Sequence, residues 1–418
     1  MGRPTAAVYY PSFEGIGGAE KVALCAALAL SRAFDVELWG AGLPPPSRLT
    51  EAFGVDASSV RLHSAELGPV VGWLCGLGRK QRRWQSDLVR WAHARQLRRL
   101  PADLLFIVDH WPPPPASHPT DVYYCLFPFE DAANHSPSRL PERAYYAACH
   151  ALERALFGNR RRALATWSNF AADSWFTEQW MRRLWGVSGE VIWPPCDDLG
   201  PPLPKEPWIL GVGRFEPDLL RRHNKSQDVL IGAFRLLHEQ SERPYELHLA
   251  GHVGSDGASV AYVEHLRRLA EGLPVHFHFS LDRPALACLY RRASVFWHAT
   301  GYGYDAERFP GRQEHFGIAT VEAMSAGAVP MLYASGGSLE IIEGQGFGAL
   351  WRSKEELVAS TLELLADHAR LAEESRRAAA RARDFATGAF MDAVEAYVTR
   401  VIAGREDRPE GATRRPFT

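Results

Sequence analysis

Twice along the chain, a short run of β-forming apolar residues leads through a glycine-rich turn into a long helical stretch. The first unit starts at residues 6–10, turns over 11–18 and continues as GAEKVALCAALALSRAF; the second starts at Trp208 with WILGVGRF. Strands that alternate with helices in this way return parallel to one another, with helices covering both faces of the sheet. The pattern therefore predicts an α/β fold. Residues 35–39, 104–108 and 122–126 read as further strands of the first unit, and YELHLAG, VHFHF and SVFWHA as strands of the second. Between the two units lies PPCDDLGPPLPKEP, residues 194–207, whose prolines deny a helix its amide donors and suit an extended linker.

A chain of 418 residues, 46% of them hydrophobic, exceeds one ordinary core and suits two domains of about 200 residues each. The expected division is a first domain over 1–197, a hinge over 198–207 and a second domain over 208–385. A helix over 386–403 is expected to return to the first domain, followed by a polar, disordered tail over 404–418.

The charge balance, 47 Lys and Arg against 49 Asp and Glu, gives no support to nucleic-acid binding. Six scattered cysteines form no CxxC pair and have no histidine at zinc-ligand spacing, so they read as reduced thiols. The start MGRPTAAVYYPS has no secretory character, and no run reaches the roughly 18 apolar residues of a membrane span. The expected location is cytoplasmic. One stretch, RKQRRWQSDLVRWAHARQLRR over 79–99, admits two readings: a helix with one buried and one solvated basic face, or a surface for anionic lipid headgroups.

Three segments carry candidate chemistry. EHFGIATVEAMSAGAVP, from Glu314, reads as a loop entering a helix near Phe316, with Glu314 at its mouth and Glu322 two turns in. Helix N-termini gather unpaired N–H groups and favour phosphates, and carboxylates nearby accept hydrogen bonds from sugar hydroxyls. LGVGRFEPDLLRRHNKS follows the first strand of the second unit and supplies Gly213, Arg214 and Lys225; a glycine admits close approach, and two cations suit a diphosphate. ASGGSLEII, from Ala334, repeats the strand, glycine pair and helix.

Together with GIGGAEKVAL at Gly15, YYCLFPF at Tyr123, TWSNFAADSWFTEQWMRRLWG running to VIWPP, and HATGYG at His298, these segments resemble the family 4 retaining glycosyltransferases over nearly the full length. The opening and the FPF segment look most like mannosyl-type transferases. The resemblance implies the GT-B architecture, two Rossmann-like domains facing across a cleft. The first would take a saccharide or lipid-linked acceptor, and the second a UDP- or GDP-linked hexose. It implies that Arg214 and Lys225 bind the donor diphosphate, Glu314 holds hydroxyls of the transferred sugar and Glu322 holds the ribose. Gly17, Gly18, Gly213, His315, Phe316, Gly317, Gly336 and Gly337 would line the donor.

Two departures stand out. Arg214 and Lys225 are eleven residues apart, farther than is usual in the family. Some relatives have histidine where this chain has Leu126, which has no acid or base function; His110, past the end of a predicted strand, is the substitute. The implied reaction needs no metal and no cofactor beyond the nucleotide sugar, because Arg214, Lys225 and helix N-termini would hold the leaving diphosphate electrostatically. No DxD-type pair is placed to hold Mg²⁺. An epimerase of the same fold would consume donor without acceptor, and an inactive binding module would consume none.

Overall fold

The computed structural model describes residues 2–406 apart from 14, 16, 77–82, 119, 130–139 and 218–223. Two parallel sheets organise it. The first contains β1 (Thr5–Ser12), β2 (Asp35–Ala41), β3 (Arg61–Ser64), β4 (Leu104–Asp109), β5 (Val122–Cys125), β6 (Asn169–Ala172) and β7 (Glu190–Val191) in the order β3-β2-β1-β4-β5-β6-β7. The second contains β8 (Glu206–Val212), β9 (Glu246–Gly251), β10 (Val275–Phe279), β11 (Ala293–His298), β12 (Val329–Tyr333) and β13 (Ala349–Trp351) in the order β10-β9-β8-β11-β12-β13. Both are Rossmann-like: the first strand lies mid-sheet, and the chain reverses direction of growth between it and the fourth. That reversal opens a crevice beyond the carboxyl ends of β1 and β4, and of β8 and β11.

The strand sequences explain the burial. Every residue of β4 (LLFIVD) and β5 (VYYC) is buried, as expected of central strands covered on both faces. The helix Gly18–Leu30 buries ten consecutive residues, from Lys21 to Leu30, between this sheet and the helix Thr387–Glu406. That last helix places Phe390, Val394 and Val398 in the first core and donates from the Tyr397 hydroxyl to the Phe170 carbonyl at 2.9 Å. It runs to Glu406, past the 403 suggested by composition; the tail beyond 406 lies outside the described residues.

The chain crosses between the sheets twice, side by side. The Cys196 amide donates to the Phe385 carbonyl, and the Thr387 amide to the Cys196 carbonyl, each at 3.0 Å. Across the interface the Glu340 carboxylate accepts from the Trp175 amide at 3.1 Å and the Trp193 indole at 2.8 Å. Gly18 faces Ile318 so closely that a Cβ there would stand 2.6 Å from Cδ1.

Candidate active site

The segments that follow β8 and end β11 converge on Glu314. Its carboxylate is buried, and one oxygen, Oε2, accepts from Lys225 Nζ at 2.5 Å and lies 2.7 Å from His298 Nε2. An ionised carboxylate only accepts, so Nε2 carries the hydrogen and Nδ1 is the ring's remaining polar atom. That Nδ1 is buried with no protein partner, as are Thr300 Oγ1, Thr320 Oγ1 and His110 Nδ1. Buried polar atoms left in this state in a folded protein usually await a ligand or a water.

Glycines seat this carboxylate. The Gly337 amide donates to the Glu314 carbonyl at 2.7 Å, and a Cβ on Gly336 or Gly337 would strike the carbonyl oxygens of Glu314 and His315. Gly336 also has φ of 64°. Lys225 lies across Gly213, where any side chain would meet its Cγ, and Gly251 in turn faces the Gly213 carbonyl. Residues 218–223, inside the long spacing between Arg214 and Lys225, lie outside the described residues, yet Lys225 itself reaches Glu314.

Arg214 is half exposed, with Nε 3.9 Å from Glu216 Oε2. Its charge is felt in the first domain. Burial, and secondarily Arg214, pushes the His110 imidazole down to about 4. His110 is thus neutral at neutral pH, packed 5.1 Å from the Phe129 ring, and its amide is held by Asp109 Oδ1 at 2.6 Å. Burial raises the Glu20 carboxyl, and Arg214 opposes that shift.

Glu322 lies in a second, adjoining charge cluster. The Tyr290 hydroxyl donates to it at 3.4 Å, and burial pushes its carboxyl up to about 7, against the pull of Lys21 and Arg283. Those two cations grip Asp197, Lys21 Nζ at 2.6 Å from Oδ1 and Arg283 Nη1 at 2.7 Å from Oδ2. One hinge carboxylate therefore ties a lysine of the first domain to an arginine of the second.

Several expectations need correction. The helix begins at Ile318 rather than near Phe316, because Gly317 turns the backbone at φ of 114°. The Phe316 ring is core, edge-on to Phe385 at 5.3 Å, so its side chain is not available to a donor. The His315 ring stacks on Phe127 of the first domain at 4.0 Å, as an interdomain contact. The helix after Gly337 has only five residues, Ser338–Ile342, too short for an anion site of its own; the glycine pair positions Glu314 instead. Gly17 precedes the helix Gly18–Leu30 in extended conformation, and its carbonyl accepts from the Lys21 amide at 3.2 Å. Leu126 is core, its amide bonded to the Asp109 carbonyl at 3.0 Å.

Sequence reasoning assigns no role to His298, Lys21 or Asp197. For His298 the available signal is its place at the end of a strand; for Lys21 it is a lysine inside an otherwise apolar helix.

Residues 202–385 match the family of glycosyl transferases group 1. The match falls on the second domain and its hinge. A curated relative, the GDP-Man:Man(3)GlcNAc(2)-PP-Dol alpha-1,2-mannosyltransferase of Dictyostelium discoideum, is 27% identical over 253 residues, 57% of this chain and 46% of that protein. The aligned part is thus about half the length of that relative. Similar structures include a sucrose-phosphate synthase from Thermosynechococcus elongatus (TM-score 0.65, 17% identity, 96% of this chain and 100% of that one) and WaaG, a glycosyltransferase of lipopolysaccharide biosynthesis (TM-score 0.65, 17% identity, 94% and 99%). Anabaena HepE in complex with UDP and glucose is also similar (TM-score 0.60, 16% identity, 97% and 100%). At such identities the likeness shows the fold. The fold it shows is GT-B, and the match over residues 202–385 makes the second domain similar to the group 1 glycosyl transferases.

Proposed function

We propose that the protein is a glycosyltransferase that moves a hexose from a UDP- or GDP-sugar, bound by the second domain, to a saccharide or lipid-linked acceptor bound by the first, with retention of anomeric configuration. The observation that carries this reading is the Lys225–Glu314–His298 constellation at the crevice, with Arg214 beside it. Glu314 Oε1 and His298 Nδ1 would take hydroxyls of the sugar. Arg214 and Lys225 would face the diphosphate, whose charge grows as the anomeric bond breaks. Neutral His110, across the cleft, suits hydrogen bonding to an acceptor hydroxyl and is too weak a base to hold a proton for long. The mannosyl-type relative favours a mannose donor.

The proposed reaction uses no metal, since the cations of the site are side chains. Screening UDP- and GDP-sugars for thermal stabilisation tests the donor: a ligand at 100 times its Kd stabilises by about 2.7 kcal/mol. Absence of a shift with every nucleotide sugar would overturn the reading. In EDTA-treated protein, added Mg²⁺ should not raise the transfer rate.

We also propose a cytoplasmic location with weak attachment to anionic membranes. The helix Arg83–Leu97 buries Asp87, Arg90, His93 and Leu97 against the first domain, with the Tyr9 hydroxyl 2.8 Å from His93 Nδ1. Arg95, Arg98 and Arg99 remain exposed, and Trp73 on the preceding helix Pro69–Gly76 is 65% exposed. Arg79, Lys80 and Arg82 lie outside the described residues. Among the described residues, no helix is long and apolar enough to cross a membrane.

A further inference from the structure

At the outer edge of the second sheet, away from the crevice, one carboxylate oxygen meets two imidazoles. Glu246 Oε2 lies 3.2 Å from His248 Nε2 and 3.1 Å from His276 Nε2, and the three ligand atoms all fall within 4.8 Å of one another. Strand geometry makes the cluster. Glu246 and His248 are two apart on β9 and share a face, and parallel pairing sets His276 of edge strand β10 opposite His248. Leu247, Leu249, Phe277 and Phe279 alternate onto the other face, where helices cover them. Behind the cluster, His278 Nε2 lies 3.0 Å from His248 Nδ1, and the Trp208 ring packs at a tilt of 33° with its centroid 4.2 Å from that of His248.

From this arrangement we propose that Glu246, His248 and His276 form a binding site for Zn²⁺, with His278 as the outer partner that holds the His248 ring. Two imidazole nitrogens and one carboxylate are ligands that zinc prefers over the oxygen-only sets of Mg²⁺ and Ca²⁺. Tetrahedral bonds of about 2.1 Å place ligand atoms roughly 3.4 Å apart, close to the two observed separations. Zn²⁺ would take the place of the hydrogen on His248 Nε2, and the ring would then carry its hydrogen on Nδ1, where His278 Nε2 can accept it. His248 is buried while Glu246 and His276 are 37% and 47% exposed, so a rigid ligand is met by two adjustable ones and a fourth position opens to water.

The site is structural. Glu246 begins β9 and Gly251 ends it beside Gly213, which puts the cluster roughly 10 to 16 Å along the strand from the donor end at 3.3 Å per residue. A metal there clips β10 to its neighbour.

The test uses tag-free full-length protein, stripped with EDTA and dialysed, then titrated with ZnCl₂ by calorimetry and with CoCl₂ by visible absorption. We expect one equivalent of Zn²⁺ per chain, a raised Tm with Zn²⁺, and a tetrahedral Co²⁺ spectrum. Glu246→Gln and His276→Ala change half-exposed positions, so the fold survives, and each should weaken Zn²⁺ binding at least about tenfold. Neither should alter sugar transfer. Wild-type protein that binds no stoichiometric Zn²⁺, or variants that bind it as wild type does, would overturn the site.

Discussion

Glu314 and Glu322 stand on one segment yet live in opposite electrostatic surroundings. Glu314, in the loop before the helix, shares one oxygen between a lysine and a histidine. Glu322, inside the helix, has a tyrosine hydroxyl as its direct partner, and burial keeps its carboxyl near 7 despite Lys21 and Arg283. The difference teaches that residue type and spacing do not assign a role. A carboxylate held by a lysine and an imidazole N–H is suited to orient a polar substrate; one poised near neutrality is a hydrogen-bonding group whose charge follows pH.

The largest expected effect comes from replacing the Glu314 carboxylate. Glu314→Gln keeps the shape and should lower kcat by about 10²-fold or more, the scale for losing a preorganised group, with little change in Tm. Near-wild-type turnover at saturating donor would break the contrast between the two glutamates. Arg214→Ala should cost about 10²-fold in kcat/KM and, because the side chain is half exposed, leave the melting temperature alone.

Glu322→Gln should act mainly on donor KM, by about tenfold, with kcat changed less. Its sharper signature is in stability. Burial raises this carboxyl from 4.5 to about 7, so between those values the native state binds more protons than the unfolded chain. The group therefore removes stability as pH rises through that window. The Gln variant should gain on wild type above pH 7 and converge with it below pH 4.5, as read by denaturant melts across pH; parallel slopes would remove Glu322 from its buried setting.

The smallest effect belongs to the basic helix Arg83–Leu97 and the arginines that follow it, on the first domain. Replacing Arg95, Arg98 and Arg99 by Gln should weaken sedimentation with anionic vesicles at low salt, each charge contributing about 1 kcal/mol at most. Donor binding should not change. Wild-type protein that fails to sediment even at low salt would make this a solvated helix face.

The α/β class and the parallel sheets were legible because the strand, glycine turn and helix pattern follows from backbone geometry alone. Strand positions were legible to within a few residues: 104–108 was read where β4 spans Leu104–Asp109, and 35–39 where β2 spans Asp35–Ala41. Less was legible at the site. Glycines 336 and 337 read as donor-facing, whereas the folded chain uses them to let one backbone ride on another. Phe316 and His315 sit between ligand-type neighbours, and only packing assigns one to the core and the other to a stack across the domains.

By itself, the sequence determined the fold class, the two successive units and the kinds of side chain available to a cleft, since these depend on local periodicity and residue chemistry. Tertiary structure alone decided which of those side chains meet. The pairing of Lys225 with Glu314 spans 89 residues, Glu314 with His298 spans strand and loop, and Asp197 joins Lys21 to Arg283 across the hinge. Contacts of that range, and the different partners that separate Glu322 from Glu314, arise only when the two sheets close on one another, because a carboxylate's electrostatic setting belongs to its surroundings and not to the residue.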